Sequence, residues 1–376
     1  MNRILIHIKI YLIQIFKFTI EKPILYLFAY LIKIKKSDNS QPIRSAPHFL
    51  VIQYEFYSGD PSQGKSAEDW NVKGPLVASG LATFDTFYWD SDFKKYLYGD
   101  WKLLLQCATV MPDAIVLSSY DVQNYKQASL ETIRIISKVF NIPIIAFWWD
   151  TCWEGFWEYT LPVLPYISVN IIPDNNEMSE KDAVIAEPYL DRILYTWVPI
   201  DPLLYQNPNK ERDIGISFYG RVGGYRSSRI PYLQYLEKSD VSLHSFYAQE
   251  TQPTHDEYVD ALKRSKIVLN FSDSVDRHQL KGRVFEAIQC GALLLESENE
   301  QIQRFFISGE EYVSFCSEAD LVSKAKYYLA HEEERAAIAA RGEKKARECY
   351  SSLAFWENVM VKLELITKKD CVQHNS

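Results

Sequence analysis

The sequence predicts an α/β protein made of two Rossmann-like, doubly wound domains, and three observations support this fold class. The chain has 376 residues, which is long for one domain and natural for two. Short apolar runs alternate with helical patterns along most of the chain, as parallel strands joined by helical crossovers do. A polar linker near residue 207 separates two such series. We therefore predict domains at 37–206 and 207–350, with a closing helix and tail at 351–376.

The apolar runs mark the predicted strands of each domain. In the first half they lie at 49–54, 82–89, 114–118, 142–148 and 166–172. In the second half they lie at 213–219, 267–271 and 292–295. Amphipathic or charged helical patterns stand between and after them, notably at 256–266 and 332–347. Since short apolar runs alternate with helices, each half is expected to form a parallel sheet covered by helices.

Residues 1–36 form a basic, apolar leader that contrasts with the rest of the chain. They hold seven Lys/Arg against one acid, a net charge of +6, so the other 340 residues carry −14 and the total is −8. Their longest uncharged apolar runs, 10–16 and 24–32, fall short of the roughly 20 residues that span a bilayer. Between Arg3 and Glu21 the polar residues recur at helical spacing, which leaves a wide apolar face.

We interpret this leader as an amphipathic anchor that lies in the plane of an anionic membrane surface, with a second short helix that starts at Pro23. This interpretation places the protein in the cytoplasm, on the inner face of a membrane. Two alternatives stay open. The leader could pack on the protein's own body, or it could be an atypical signal segment, although it lacks a clean apolar core followed by a small-residue cleavage site.

Composition excludes several other classes of protein. An acidic body lacks the basic footprint that a nucleic-acid-binding protein needs. Six cysteines are scattered without a C-x-x-C pair or a histidine at metal-ligand spacing, so a zinc site and a disulfide framework are not expected. Reduced thiols in a cytosolic protein are the simplest interpretation.

The segment 267–295 predicts one βαβ unit with a ligand site. An apolar strand ends in small polar residues, a helix follows with Arg283 and Glu286 in its first turn, and Gly291 leads into a buried strand. Ligands of open α/β sheets bind beyond the strand ends, so both side chains are expected to face a crevice. Arginine suits phosphate, and glutamate suits ribose hydroxyls. The alternative for Glu286 is a solvated carboxylate that interacts favourably with the helix dipole.

A glycine-rich loop follows the first strand of the second half. Gly220, Gly223 and Gly224 lie between a strand and a helix, which is the arrangement that directs backbone N–H groups at a phosphate. Such loops are often only tight turns, but Arg221 and Arg226 flank this one. The loop is therefore a second candidate anion-binding element.

The segment 283–292 closely resembles the C-terminal module of group-1 glycosyltransferases of the GT-B fold. Its nearest match is the spore-maturation-protein-like branch, with the pattern R-x-F-E-A-x-x-C-G-A, and the resemblance continues in order over about 267–350. It implies two domains that face a cleft and a metal-independent transfer from a nucleotide diphosphate sugar, with no further cofactor. It also implies, more weakly, a retaining outcome.

The resemblance assigns roles to particular residues. Arg221 and Arg226 match the two cations that grip the donor diphosphate, and Lys281 and Arg283 add positive charge that stabilises the leaving group. Glu286 matches the carboxylate that binds ribose. The retaining pattern is Glu-x7-Glu, but His278 stands at the first glutamate position. His278 could bind a sugar hydroxyl or lie exposed, so the sugar and the stereochemistry stay open.

The first domain offers an aromatic and acidic strand end at 147–154. Trp rings beside carboxylates suit a sugar, so Asp150 is the candidate for an acceptor-side or base role, with Glu154 as second candidate. The alternative is a set of core tryptophans with a helix-capping Asp. Asp90 and Asp92 formally match a D-x-D metal motif, but three-residue matches occur often by chance, and we expect no metal.

We therefore expect a glycosyltransferase that acts on a glycan, glycolipid or other surface glycoconjugate acceptor, bound to a membrane through residues 1–36. Two alternatives remain: a GT-B-like nucleotide-sugar epimerase or phosphorylase, and a non-catalytic glycan- or nucleotide-binding protein. The acceptor, the donor base and the oligomeric state cannot be read from the sequence.

Overall fold

A computed structural model describes residues 22–36, 44–93, 99–124, 126–175, 177–245, 253–274 and 277–367. Within these ranges the chain forms two α/β domains, each built on a parallel sheet. The first sheet consists of β1 (His48–Gln53), β2 (Thr83–Tyr88), β3 (Ala114–Ser118), β4 (Ile144–Phe147), β5 (Val169–Ile172) and β6 (Ile193–Tyr195). The second consists of β7 (Ile214–Phe218), β8 (Leu243–Ser245), β9 (Ser265–Asn270), β10 (Leu293–Ser297) and β11 (Val313–Phe315).

The strand order confirms the predicted doubly wound class. It is β2-β1-β3-β4-β5-β6 in the first sheet and β11-β10-β9-β7-β8 in the second. Central strands such as β3 and β4 are buried at every residue, which explains why they appear in the sequence as unbroken apolar runs. The edge strand β6 was not predicted, because three residues, of which only Ile193 is buried, give too short a signal.

Helices cover the faces of both sheets. Those of the first domain are α1 (Lys22–Lys36), α2 (Gly74–Ser79), α3 (Gly99–Val110), α4 (Leu130–Lys138), α5 (Phe156–Thr160) and α6 (Glu180–Ala186). Those that follow are α7 (Arg229–Glu237), α8 (His255–Arg264), α9 (Gly282–Gln289), α10 (Glu300–Gln303), α11 (Glu318–Ala330), α12 (Glu332–Cys349) and α13 (Ser352–Lys362). In the described part of the chain, no helix combines the length and the apolarity needed to cross a bilayer.

Helix α1 is the described part of the predicted leader, and residues 1–21 lie outside the described residues. Its inner face packs on the first domain through Leu25 and Ala29, which are buried. Glu131 of α4 accepts a hydrogen bond from the Tyr26 hydroxyl (2.9 Å) and pairs with Lys22 (2.7 Å). The described part of the leader, residues 22–36, therefore packs on the first domain, which was one of the alternatives to a membrane anchor.

Helix α13 closes the chain by returning to the first domain. The ring of Trp356 lies 6.0 Å from Phe49 of β1 and 6.1 Å from Phe147 of β4, and it is fully buried. The Ser352 hydroxyl donates to the carbonyl oxygen of Ile200 at 2.9 Å. The last helix thus joins the core of the first sheet and ties the two domains together.

The turn after α9 needs a glycine. Gly291 has a φ of +73°, in the left-handed region that side chains rarely adopt. A Cβ atom at this position would also overlap the side chain of Asn207. The glycine lets α9 end abruptly and pass directly into β10, so the helix start and the next strand keep a fixed relation.

Candidate functional site

The carboxyl ends of the two sheets face each other across a cleft between the domains. Arg221, which follows β7, donates to the hydroxyl of Tyr57 in the first domain at 3.2 Å. Gln279, in the segment between β9 and α9, donates to a carboxylate oxygen of Asp150, which follows β4, at 2.7 Å. Strand ends are where ligands of such sheets bind, so this cleft is the candidate site.

Four cations converge on the second-domain side of the cleft: Arg226, Arg229, Lys281 and Arg283. These cations repel one another. Arg226 and Arg229 lower the pKa of Lys281, and Arg283 and Arg226 lower the pKa of Arg229. Burial is the largest cause of both shifts. Like charges held together in a partly dry site are unfavourable unless an anion joins them.

Arg283 occupies the first turn of α9. Its Nη1 donates to the side-chain oxygen of Asn270 at 2.8 Å, and its guanidinium lies 5.8 Å from the ring centre of Tyr258. Its Nε is buried and has no hydrogen-bond partner among the described residues. A buried donor without an acceptor costs free energy, so this nitrogen is suited to the oxygen of an anionic ligand.

Asn270 fixes the far side of Arg283. Its amide nitrogen donates to Glu296 at 2.6 Å, and Glu296 is fully buried, which raises the pKa of its carboxyl to about 7. Because the amide nitrogen is committed to Glu296, the amide oxygen must face Arg283. This pair therefore sets the orientation of the guanidinium.

Lys281 lies at the N-cap of α9 and is largely removed from water. Burial lowers the pKa of its ammonium to about 8, opposed by the charge of Asp150 across the cleft and assisted by Arg226 and Arg229. The ammonium donates to the side-chain oxygen of Gln279. Lys281 therefore contacts Gln279 directly and feels the charges of groups from both domains.

Glu286 lies inside the seam between the domains. It is 6% exposed, burial raises the pKa of its carboxyl, and the Tyr258 hydroxyl donates to its Oε2. Tyr205 contributes a further hydrogen bond. A solvated carboxylate, the alternative that the sequence left open, is therefore wrong. The ribose role stays a prediction, and it requires a ribose hydroxyl to join or replace a tyrosine.

Asp150 and His278 both line the cleft; Asp150 is exposed and His278 is half-buried. Asp150 is held by Gln279, and the indole of Trp153 donates to its carbonyl oxygen at 3.0 Å. The ring Nδ1 of His278 lies 2.6 Å from a carboxylate oxygen of Glu300, at the start of α10. The roles of both residues toward a substrate stay predictions.

The D-x-D residues have structural partners. The carboxylate of Asp90 accepts the backbone N–H groups of Glu55 (2.9 Å) and Phe56 (3.0 Å). The carboxylate of Asp92 accepts the N–H of Tyr88 at 2.8 Å and pairs with Lys102 at 2.5 Å. Among the residues that the structure describes, no group of three His, Cys, Asp or Glu side chains could hold a metal ion.

Sequence reasoning missed several residues that shape the site, among them Gln279, Arg229 and Asp174. Arg229 is buried, pairs with Asp273 at 2.8 Å and donates to the carbonyl oxygen of Arg221 at 3.1 Å, so it holds the glycine-rich loop against the end of β9. Asp174, also buried, accepts the N–H of Leu280 at 2.7 Å. The position of Asp174 just after a predicted strand is a signal that could have found it, but nothing in the sequence indicated the burial of Arg229.

Comparisons with known proteins bear on the fold of this chain. Residues 210–360 match the family described as glycosyl transferase-like. HepE from Anabaena, solved with UDP-glucose, is 11% identical with a TM-score of 0.57, and the match covers 85% of this chain and 100% of that one. A sucrose-phosphate synthase from Thermosynechococcus elongatus is 10% identical with a TM-score of 0.54, over 85% of this chain and 99% of that one. A glycosyltransferase from Rickettsia africae ESF-5 is 9% identical with a TM-score of 0.57, over 86% and 100%. No curated protein matches the sequence. At these identities the structures establish a shared two-domain fold.

Proposed function

We propose that this chain, a glycosyltransferase-like protein of the GT-B fold, moves a sugar from a nucleotide diphosphate sugar to a glycan, glycolipid or other surface glycoconjugate acceptor. The observation that carries the proposal is the cationic cluster at the start of α9. Positive side chains and a helix N-terminus that point to one place stabilise a leaving diphosphate without a metal. The Nε of Arg283, which has no partner in the described part of the chain, supplies a donor for it. The complex of HepE with UDP-glucose supports this donor class.

In this proposal the two sides of the cleft divide the work. Arg226, Lys281 and Arg283 bind the diphosphate and stabilise the charge that develops as the glycosidic bond breaks. Asp150 faces them from the first domain and orients the acceptor hydroxyl. We propose a retaining transfer, which needs no separate base; in an inverting transfer Asp150 would take the acceptor proton.

A thermal-shift screen over UDP-, GDP-, dTDP- and CMP-sugars tests the donor site. A ligand at about 100 times its Kd stabilises the folded state by about 2.7 kcal/mol. We expect one nucleotide series to raise the Tm, and Arg226→Ala to abolish most of that rise. Equal affinity of Arg226→Ala, Glu286→Ala and the wild type would defeat the assignment of this site. Consumption of the donor without any acceptor would instead favour an epimerase.

Donor binding should weaken at alkaline pH because Lys281 loses its proton. With a pKa of about 8, the free ammonium deprotonates above this pH, and binding to a diphosphate favours the protonated form. The affinity for UDP should therefore fall as the pH rises above about 8, by up to tenfold per pH unit. Lys281→Arg keeps its charge throughout this range and should show a flat profile. Titrations of the wild type and of Lys281→Arg with UDP at several pH values test this prediction. An equal fall in the affinity of Lys281→Arg would show that a group other than Lys281 causes the pH dependence.

We also propose that the outer face of α1 rests on an anionic membrane surface. Its residues Ile24, Leu27, Tyr30 and Leu31 are 45–60% exposed and recur at helical spacing, while the inner face of α1 packs on the first domain. The leader as a whole carries a net charge of +6. An apolar face within a basic segment is the combination that binds anionic lipid.

Sedimentation with liposomes tests this surface. We expect the wild type to bind vesicles that contain phosphatidylserine, and the double variant Leu27→Glu/Leu31→Glu to bind them at least tenfold more weakly. Leu203→Glu, at an even more exposed position after β6, serves as the control and should bind like the wild type. If the double variant bound these vesicles as tightly as the wild type, the outer face of α1 would not be the membrane-binding surface.

A further inference from the structure

Five consecutive residues between β9 and α9, 277–281, form a strap across the cleft, and we call them the interdomain strap. Four of them form hydrogen bonds with the first domain. Arg277 donates to the carbonyl oxygen of Glu177, and the carbonyl oxygen of His278 accepts from the thiol of Cys152. The side chain of Gln279 donates to Trp149 and Asp150, and the N–H of Leu280 donates to Asp174. Lys281 ends the strap and begins α9. The segment that leads into the proposed donor site is thus held by the opposite domain.

Gln279 is the centre of the interdomain strap. It is 3% exposed, and its backbone N–H donates to the carbonyl oxygen of Ser272 at 2.7 Å. Its side-chain nitrogen donates to the carbonyl oxygen of Trp149 and to a carboxylate oxygen of Asp150, both at 2.7 Å. Its side-chain oxygen accepts from the ammonium of Lys281. Every polar group of this amide therefore has a partner.

These partners allow only one orientation of the amide. Rotating it by 180° would set its oxygen against the carbonyl oxygen of Trp149 and the carboxylate of Asp150, and its NH₂ group against an ammonium. Gln279 therefore bridges a negative group of the first domain and a positive group of the second. Hydrogen bonds to charged groups are the stronger kind, and here both are partly shielded from water.

We propose that Gln279 is a positioning residue that couples Lys281 on the donor side to Asp150 on the acceptor side. The inference rests on the proposed function, because it takes these two side chains as parts of one site. Glutamine suits this task because its amide carries a donor and an acceptor at once. Leucine would serve neither neighbour, and glutamate would attract Lys281 while repelling Asp150.

The surroundings of Lys281 make the coupling measurable. The charged groups that act on it are Asp150 and Asp174 from the first domain and Arg226 and Arg229 from the second. The N–H of Leu280 donates to Asp174 through the backbone, so we expect this bond to hold the interdomain strap when the side chain at 279 is changed. A change at Gln279 should therefore alter the ammonium directly rather than by releasing the loop.

The test measures the pKa of Lys281 in the ligand-free full chain, from the pH dependence of its acetylation by acetic anhydride followed by peptide mass spectrometry. An opposite charge in contact shifts a pKa by about 1–3, so Gln279→Glu should raise the pKa of Lys281 by that amount. Gln279→Leu removes the acceptor and should lower it. Lys266, which lies outside the cleft on β9, is an internal control that should not change.

A second readout separates this inference from the proposed function. The rate of sugar transfer should fall at least tenfold in Gln279→Leu, while the Kd for UDP changes less than about threefold. Failure of the wild type to bind any nucleotide diphosphate would refute the proposed function, yet the acetylation profiles would still decide the coupling. If Gln279→Glu and Gln279→Leu both fold and the pKa of Lys281 is unchanged in both, the positioning role is overturned.

Discussion

Replacing Arg283 by alanine is expected to lower the rate of sugar transfer by roughly 10²–10³-fold, the usual cost of losing one preorganised donor to a developing negative charge. Its guanidinium is held by Asn270 at 2.8 Å and retains a buried Nε without a partner among the described residues. In the proposed function the guanidinium is thus oriented before the substrate arrives and needs no rearrangement at the moment of reaction. The measurement is kcat and kcat/KM with the donor identified by thermal shift.

Two variants make this prediction specific. Arg283→Lys keeps the charge but loses the planar fork, so it should recover only part of the rate. Arg264→Ala removes an exposed arginine from the end of α8, where it pairs with Asp213 and Asp260, and should leave the rate unchanged. A fall in Arg283→Ala that appeared only in KM would show that Arg283 contributes equally to ground-state binding, contrary to a role in stabilising the leaving group.

Replacing Trp356 by alanine is expected to reduce the free energy of unfolding by about 3–5 kcal/mol, as for other large buried aromatic residues. Trp356 is fully buried and lies near Phe49 and Phe147 of the first sheet, although it belongs to the last helix of the chain. Its loss would open a cavity between α13 and the first sheet. Urea unfolding followed by circular dichroism gives the change.

The matched control is Trp153→Ala. This tryptophan is 37% exposed at the rim of the cleft, so its removal should cost about 1 kcal/mol or less. A loss below about 1 kcal/mol in Trp356→Ala would show that α13 contributes little to the first domain. The loss expected for Trp356→Ala is a large fraction of the about 5–15 kcal/mol by which a typical protein is stable, so this variant should also express less well.

Much of the fold could be predicted because its signals are local. Buried parallel strands such as β3 and β4 appear as short apolar runs, and Gly291 appears as a break between a helical and a strand pattern. The helix start at Arg283 and Glu286 was predicted in place for the same reason. Boundaries differed by a few residues: the predicted strand 142–148 is Ile144–Phe147 in the structure.

The site was predicted less completely because its contacts join distant parts of the chain. Asp150 and Gln279 are 129 residues apart in the chain, and Leu280 and Asp174 are 106 apart, so no spacing rule could pair them. The burial of Arg229 also depends on a partner, Asp273, from another strand end. Each of these residues has an ordinary exposed alternative that the sequence alone cannot exclude.

The sequence by itself determined the two doubly wound domains, the glycine-rich loop and the helix start that brings arginine to a strand end. These features follow from strand and helix periodicity, which neighbouring residues fix. Only the tertiary structure decided that Glu286 lies buried beneath Tyr258, that α1 packs on the first domain, and that the interdomain strap bonds to the opposite domain. The physical reason is that burial and long-range hydrogen bonds depend on which surfaces meet, and that is a property of the packed chain.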